Sequence, residues 1–269
     1  MAENLIFDNL IIDRVVEAWT ENANAQMQFL LNNIQNVTIT GSSESKDKTD
    51  ARGVLIKRFY TGKSVEVSME AAVLSLSQLG VQFGGAPEFA AASKKIRGPR
   101  EFHIPSGVTT YTLPVAPIEG GLKYIYKLMP NGGLGQEFAL NTEASATEFA
   151  YDKSKNQITL PVDVDGPFCV AYETETPSGI RLVNRSDKFP STTKLVMKVA
   201  CVDPCSIGTL RMAYITFPSF QVSPDVELSL TTDAAFQFNG VAQVDYCSEE
   251  KELYEIFMSA DDTEADASK

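Results

Sequence analysis

The chain reads as a mainly β protein: two packed antiparallel sheets in a barrel-like sandwich, with one or two flanking helices and an additional β-rich segment. Three observations carry this reading. Val65 and Val67 alternate with Ser64, Glu66 and Ser68, the period of a strand buried on one face. From residue 101 to 176, short β-branched and aromatic runs are broken by Pro and Gly at roughly ten-residue intervals, the spacing of an antiparallel sandwich or barrel. In the last third, Leu195, Met197 and Val199 alternate with Lys194, Lys198 and Ala200, and Leu228 and Leu230 with Glu227, Ser229 and Thr231.

Taken in order, residues 5–19 are dense in Leu, Ile and Val and give one or two strands ending near Trp19, the only tryptophan. Residues 20–33 are ambiguous, because Met27, Leu30, Leu31 and Ile34 have helical spacing and Thr20 can cap a start. Residues 36–40 return to strand. Residues 41–50 (GSSESKDKTD) hold no apolar residue beyond glycine, so a solvated loop or an arm that orders on assembly is expected. Residues 54–60 form a strand, and Thr61-Gly62-Lys63 supplies a turn into a second strand over 64–68. From Met69 the period becomes helical, with Val73, Leu76, Ser77 and Gly80 on one stripe widened by Leu74 and Leu79. Residues 84–101, rich in small residues with two prolines and four cations, mark a boundary. Beyond it Tyr124, Tyr126 and Leu128 share a strand face before a turn at 130–135. Residues 157–160 and 167–174 are strands separated by the turn-like 163–166. Further strands follow, residues 253–258 close the fold, and the acidic tail is disordered. The domain division expected is 1–90 with 180–258 as one β-sandwich, 91–179 as an additional segment or inserted domain, and 259–269 as the tail.

Composition narrows function. At 269 residues the chain can bury about 70% of its unfolded surface without metals or disulfides. A formal net charge of −12 disfavours dedicated binding to nucleic-acid phosphates or anionic membranes, and suits either plain solubility or an acidic wall past which a polyanion slides. No 18-residue apolar run offers a transmembrane helix, and the start lacks a signal peptide, so the protein is expected to stay in the cytoplasm where it is made. Cys169, Cys201, Cys205 and Cys247 are then free thiols.

Candidate chemistry is sparse. His103 is the only histidine, so any Ser–His–Asp or Cys–His device must use it, yet between Phe102 and Ile104 it reads as an ordinary strand residue. Cys201 and Cys205, with three residues between them, could with Cys169 and Cys247 complete a thiolate zinc site or form a disulfide, but the spacing is a weak signal and Cys169 looks like core packing. Asp163/Asp165 and Glu249/Glu250 are carboxylate pairs, more simply solvated loop tips. Asn131-Gly-Gly-Leu-Gly135 lacks the Lys-Ser/Thr of a phosphate loop and reads as a hairpin end. Lys94, Lys95, Arg97 and Arg100 form a basic cluster without interleaved aromatics, suited to the acidic surface of a neighbouring subunit or to solvent. The expectation is therefore a non-enzyme with no catalytic, cofactor-binding or metal-binding residues, no cofactor, no small-molecule substrate and no membrane.

The segment DARGVLIKRFYTGKSVEVSMEAAVLSLSQLGVQFG resembles the tail-tube, or major tail, proteins of bacteriophages. So do KFPSTTKLVMKV, MAYITFPSFQVSPDVELSLTT and VDYCSEEKELYEIFM, with Phe189-Pro190 and Phe217-Pro218 as their landmarks. The resemblance spans residues 1–90 and 180–258 at the level of pattern. It implies rings, usually of six protomers, whose inner sheets join into one barrel and which stack into a tube through long arms. DNA is then transient lumen cargo, and a sheath, tape-measure, baseplate or tail-terminator protein is the expected partner, in a virion tail built in the host bacterial cytoplasm. Residues 100–176 exceed what a minimal tube subunit needs. Two other readings stay open: another virion component, such as a head decoration or tail-completion protein, and a carbohydrate-binding β-sandwich, against which 15 Phe and a single Trp weigh.

Overall fold

A computed structural model describes residues 10–204, 206–244, 249 and 251–265. The chain is mainly β, with antiparallel sheets that curl and pack, and divides into two compact units, Met1–Pro87 with Leu182–Lys269, and Glu88–Arg181. The first unit holds β1 (Ile11–Glu21), β2 (Met27–Leu31), β3 (Ile34–Thr49), β4 (Leu55–Ala71) and α1 (Leu76–Gln82). The second holds β5 (Glu88–Phe89), β6 (Ile96–Ile104), β7 (Thr110–Thr112), β8 (Tyr124–Leu128), β9 (Leu134–Asn141), β10 (Glu148–Asp152), β11 (Gln157–Thr159), β12 (Phe168–Thr176) and β13 (Ile180–Arg181). The chain then returns to the first unit with β14 (Thr192–Asp203), β15 (Ser206–Val222), β16 (Phe236–Ala242) and β17 (Glu255–Ala265).

The first unit is one sheet in the order β2-β1-β14-β15-β16-β4-β3. It forks along β15: Thr209–Thr216 pair with β17, whereas Phe220–Val222 pair with β16. The sheet then curls back on itself. Phe29 of β2 meets Phe238 of β16 edge-on at 5.1 Å, although three strands separate β2 from β16 in the sheet order. Phe217, Phe220, Met197, Met69 and Val67 fill the space so enclosed. Phe236–Phe238 of β16 pair with β4 but, among the described residues, with no strand on the β15 side, and α1 covers that stretch, with Gln78 and Gln82 donating Nε2–H to the Gln237 carbonyl at 3.4 and 3.2 Å. This is a standard remedy for an open sheet edge. Gly84, at φ +70°, lets the Phe189 backbone cross directly above it; a Cβ there would stand 2.2 Å from the Phe189 carbonyl oxygen.

The second unit is a sheet in the order β6-β12-β8-β9-β10-β11-β7, antiparallel except for β9 and β10. It curls around Ile104, Ile125, Phe138, Phe149, Ile158, Phe168 and Val170. Polar ends are tied down at its rim: Tyr172 donates to the Val115 carbonyl at 2.6 Å, and Asn156 Nδ2 to the Leu113 carbonyl at 2.6 Å.

Several expected elements differ. Residues 27–31 are a strand, because their alternate residues Phe29 and Leu31 face the core while Leu30 stays exposed. The turn expected at Thr61-Gly62-Lys63 is absent: β4 runs through it, and Gly62 at φ +69° forms a bulge. α1 begins only at Leu76 and buries Gln78, Leu79, Gly80 and Gln82, leaving Val73 and Leu74 exposed. Residues 223–230 are not a strand, and Leu230 is 86% exposed. The acidic end is ordered as far as Ala265, since β17 gains a ladder from β15 and Asp262 accepts a hydrogen bond from Tyr214 at 2.7 Å. Residues 5–9 and 266–269 of the expected terminal elements lie outside the described residues.

Candidate functional site

The outer half of the β3–β4 hairpin is the chain's most distinctive surface. Between the Ser42–Ser64 pair and the tip at Asp50 every residue is exposed, and the ladder continues without support from a third strand. At about 3.4 Å per residue the Ser43–Thr49 run projects roughly 24 Å. The tip is closed by Asp50, whose Oδ1 accepts from the backbone N–H groups of Arg52 and Val54, both at 2.8 Å, with Gly53 at φ +81°. Residues 41–49, expected as part of a solvated loop or arm, thus belong to one strand of a projecting hairpin arm, with Asp50 at its tip.

The Gly62 bulge sets the arm's two faces. Val65 and Val67 point into the core, and a regular ladder that gave Gly62 a partner of its own would continue that face with Phe59 and Lys57. The bulge instead pairs Ser45 with Tyr60 and Asp47 with Arg58, so these four continue the core side. There Arg58 donates to both Asp47 oxygens at 2.7 and 2.9 Å, and this pairing holds the carboxyl below its usual range. The opposite face carries Lys46, Lys48, Lys57 and Phe59, with the Lys57 ammonium 5.0 Å from the Phe59 ring centre. Val54, Leu55, Ile56, Phe59 and Tyr60 are 46–70% exposed. Residues 42–63 hold six cations against three carboxylates, a net of +3; since the whole chain carries −12, the remainder carries −15. A cleft of about 630 Å³ opens at the arm's root between Ser42, Lys63 and the Lys251–Tyr254 stretch.

The sequence-selected residues are placed as follows. Phe217 is a core residue, but Phe189 is 72% exposed on a backbone pinned by Gly84 and by Gln221, which donates to the Pro190 carbonyl at 3.0 Å. Lys94 closes a tight turn with Ala91, while Arg97 pairs with Glu175 at 2.8 Å across β6 and β12. Asn131–Gly135 is the β8–β9 hairpin end. Asp163, at φ +60°, and Asp165, which accepts from the Gly107 N–H, line a shallow surface hollow rather than opposing one another across a cleft. Cys201 is buried, which raises its thiol pKa. Cys205, Cys247 and Glu250 lie outside the described residues.

Cys169 is buried, as expected of a packed residue, but it lies outside the cluster around Phe168 and Val170. Its neighbours Phe168 and Val170 face the core, so its side chain stands on the opposite face of β12. There it lies directly across from His103 in the β6–β12 register, and its Sγ–H donates to Glu101 Oε1 at 3.1 Å. Burial, reinforced by that carboxylate, pushes the thiol up to about 11. The Cys169 hydrogen bond and then His103, whose Nε2 is 3.1 Å from the same oxygen, hold Glu101 below the usual carboxylate range. Spacing in sequence did not connect these residues; only strand register does. Among the described residues no helix is long and apolar enough to cross a membrane. No protein-family model matches this sequence, and no curated protein matches it.

Proposed function

We propose that this chain is a virion structural protein, the subunit of a phage-type tail tube. Protomers close into rings of six, rings stack, and DNA passes through the lumen into the host. The observation that carries the reading is the hairpin arm: an extended, exposed ribbon with five part-exposed apolar side chains and a net charge opposite to that of the rest of the chain. A ribbon that adds no residue to its own subunit's core gains its stability from a neighbour, and a basic arm finds an acidic partner on any second copy. β3 also leaves one edge without a strand, and closing a ring pairs such edges between protomers.

On this reading the protein works mechanically, without a catalytic group or cofactor, in the tail of a virion assembled in bacterial cytoplasm. It contacts itself first, and sheath, tape-measure, baseplate or terminator proteins at the tube's surface, lumen and ends. The acidic remainder of the chain repels phosphates, which suits a passage through which DNA slides. Negative-stain microscopy of the concentrated protein across salt concentrations tests this. Hollow tubes or rings of uniform diameter are expected. Monomers that stay featureless in the presence of tube-initiating virion components overturn the reading and favour a decoration protein.

A further inference from the structure

The second unit carries a cluster that the assembly reading leaves unused. Among the described residues, Glu101 Oε1, His103 Nε2 and Cys169 Sγ form one group of potential metal ligands, all within 4.8 Å of one another. Two of the three separations are 3.1 Å. In tetrahedral zinc, bond lengths near 2.0–2.3 Å place adjacent ligand atoms about 3.4–3.6 Å apart. Small side-chain rotations therefore bring the three atoms to coordinating distance.

We infer that Glu101, His103 and Cys169 form a three-ligand site for a zinc-class divalent cation. Thiolate, imidazole and carboxylate are together the donor set that zinc accepts, and a thiolate in the set selects against magnesium and calcium. The strands fix the geometry. His103 and Cys169 are directly opposite in the β6–β12 ladder, and Glu101 lies two residues before His103 on the same face. Glu101 and His103 are exposed, so an ion reaches them from solvent and the fourth coordination position stays open to water. Binding replaces the Cys169 thiol proton by the metal and releases that proton to solvent, so charge and atoms balance without an oxidant. β6 is the edge strand of its sheet, and the ion would clip it to β12. This follows from the second unit alone and is independent of whether the chain forms tubes.

The test is Co²⁺ titration of the reduced, untagged full-length protein, followed by absorption spectroscopy and displacement by Zn²⁺. One equivalent per chain is expected to produce a thiolate-to-cobalt charge-transfer band that Zn²⁺ abolishes. Cys169→Ser removes the band. Losing an outer-sphere partner alone typically weakens a site about 10–100-fold, so His103→Gln and Glu101→Gln, both at exposed positions that leave the core intact, should each weaken binding at least about tenfold. Zn²⁺ should also raise the unfolding temperature of the parent chain but not of His103→Gln. A reduced protein without the band in excess Co²⁺ overturns the inference. So does a band unchanged in Cys169→Ser, which would assign the thiolate to another cysteine, or a Co²⁺ affinity unchanged in His103→Gln, which would remove the imidazole from the site.

Discussion

Replacing residues 43–63 by Asn-Gly, so that the paired Ser42 and Ser64 flank a two-residue turn, separates assembly from folding. The excised residues are all exposed and none joins the core of their own unit. Ordering them costs about 1–2 kcal/mol of backbone entropy each, and the hairpin ladder does little more than offset this, as in isolated hairpins that are marginal in water. The body should therefore unfold within about 4 °C of the parent temperature. Assembly should respond differently. Five apolar side chains that are 46–70% exposed can each contribute of order 1 kcal/mol when a neighbour covers them, or about 4–6 kcal/mol per arm before ordering costs. If the chain closes into rings as proposed, several arms per ring multiply the effect. Sedimentation velocity and negative-stain microscopy of both proteins, paired with thermal unfolding by circular dichroism, read the two quantities separately. Tubes from the armless chain matching those of the parent would refute the reasoning about the arm, and an armless chain that fails to fold would refute the claim that the body stands without it.

Inserting one residue between Ser43 and Glu44 gives Gly62 a partner, removes the bulge and should move Phe59 and Lys57 onto the face now held by Tyr60 and Arg58; the monomer should stay folded while stacking fails, and normal stacking would show that the faces do not matter. Gly84→Ala combines a left-handed φ with a Cβ against the Phe189 backbone, and should lower stability by about 2–4 kcal/mol in urea unfolding; an unchanged midpoint would show that the Phe189 crossing is not held as described. Phe238→Ala opens a cavity between Phe29 and Phe220, at a cost of about 3–5 kcal/mol in the same assay. Trp19 Nε1 donates to Glu21 at 2.9 Å, and this bond, with Lys194, keeps the Glu21 carboxyl below its usual range. Because the folded value is depressed, the stabilisation is present above the unfolded carboxylate range and is lost as pH falls through the lower folded value. Trp19 fluorescence should accordingly titrate below the ordinary carboxylate range, and Glu21→Gln should abolish that step.

The fold class was legible because alternation in β4, β12 and β14 is driven by burial of one face, and burial leaves its mark on sequence. The arm was legible in place but not in form. Residues 41–50 contain nothing apolar because neither face of that strand is buried in its own unit, so periodicity has nothing to report. The tip chemistry was present all along in Asp50-Ala-Arg-Gly53, an Asp accepting from two backbone N–H groups and a glycine at positive φ. Gly62 drew the turn instead, since a bulge glycine and a turn glycine look alike in one dimension. The helical spacing at 27–34 misled for the converse reason: in a five-residue strand, Phe29 and Leu31 suffice to define a face. The Glu101–His103–Cys169 cluster was invisible because 66 residues separate His103 from the cysteine opposite it, and register is a property of the fold.

Charge segregation gives the arm its reach as well as its preference. A projection of roughly 24 Å is about three Debye lengths at physiological salt, so the outer cations are screened from their own subunit's −15 and act on whatever the tip touches. Bodies of like charge repel one another, which opposes unguided aggregation. The arm reverses the sign only along a narrow ribbon and only in one register, with Arg58 and Tyr60 on one face and Lys46, Lys48 and Lys57 on the other. On the proposed tube reading, attraction between copies is thereby confined to geometries in which a ribbon lies along an acidic surface with its apolar residues covered. Such a contact would be directional, from the arm of one copy to the body of the next. A directional contact propagates along an axis, whereas a two-fold contact would stop at a dimer.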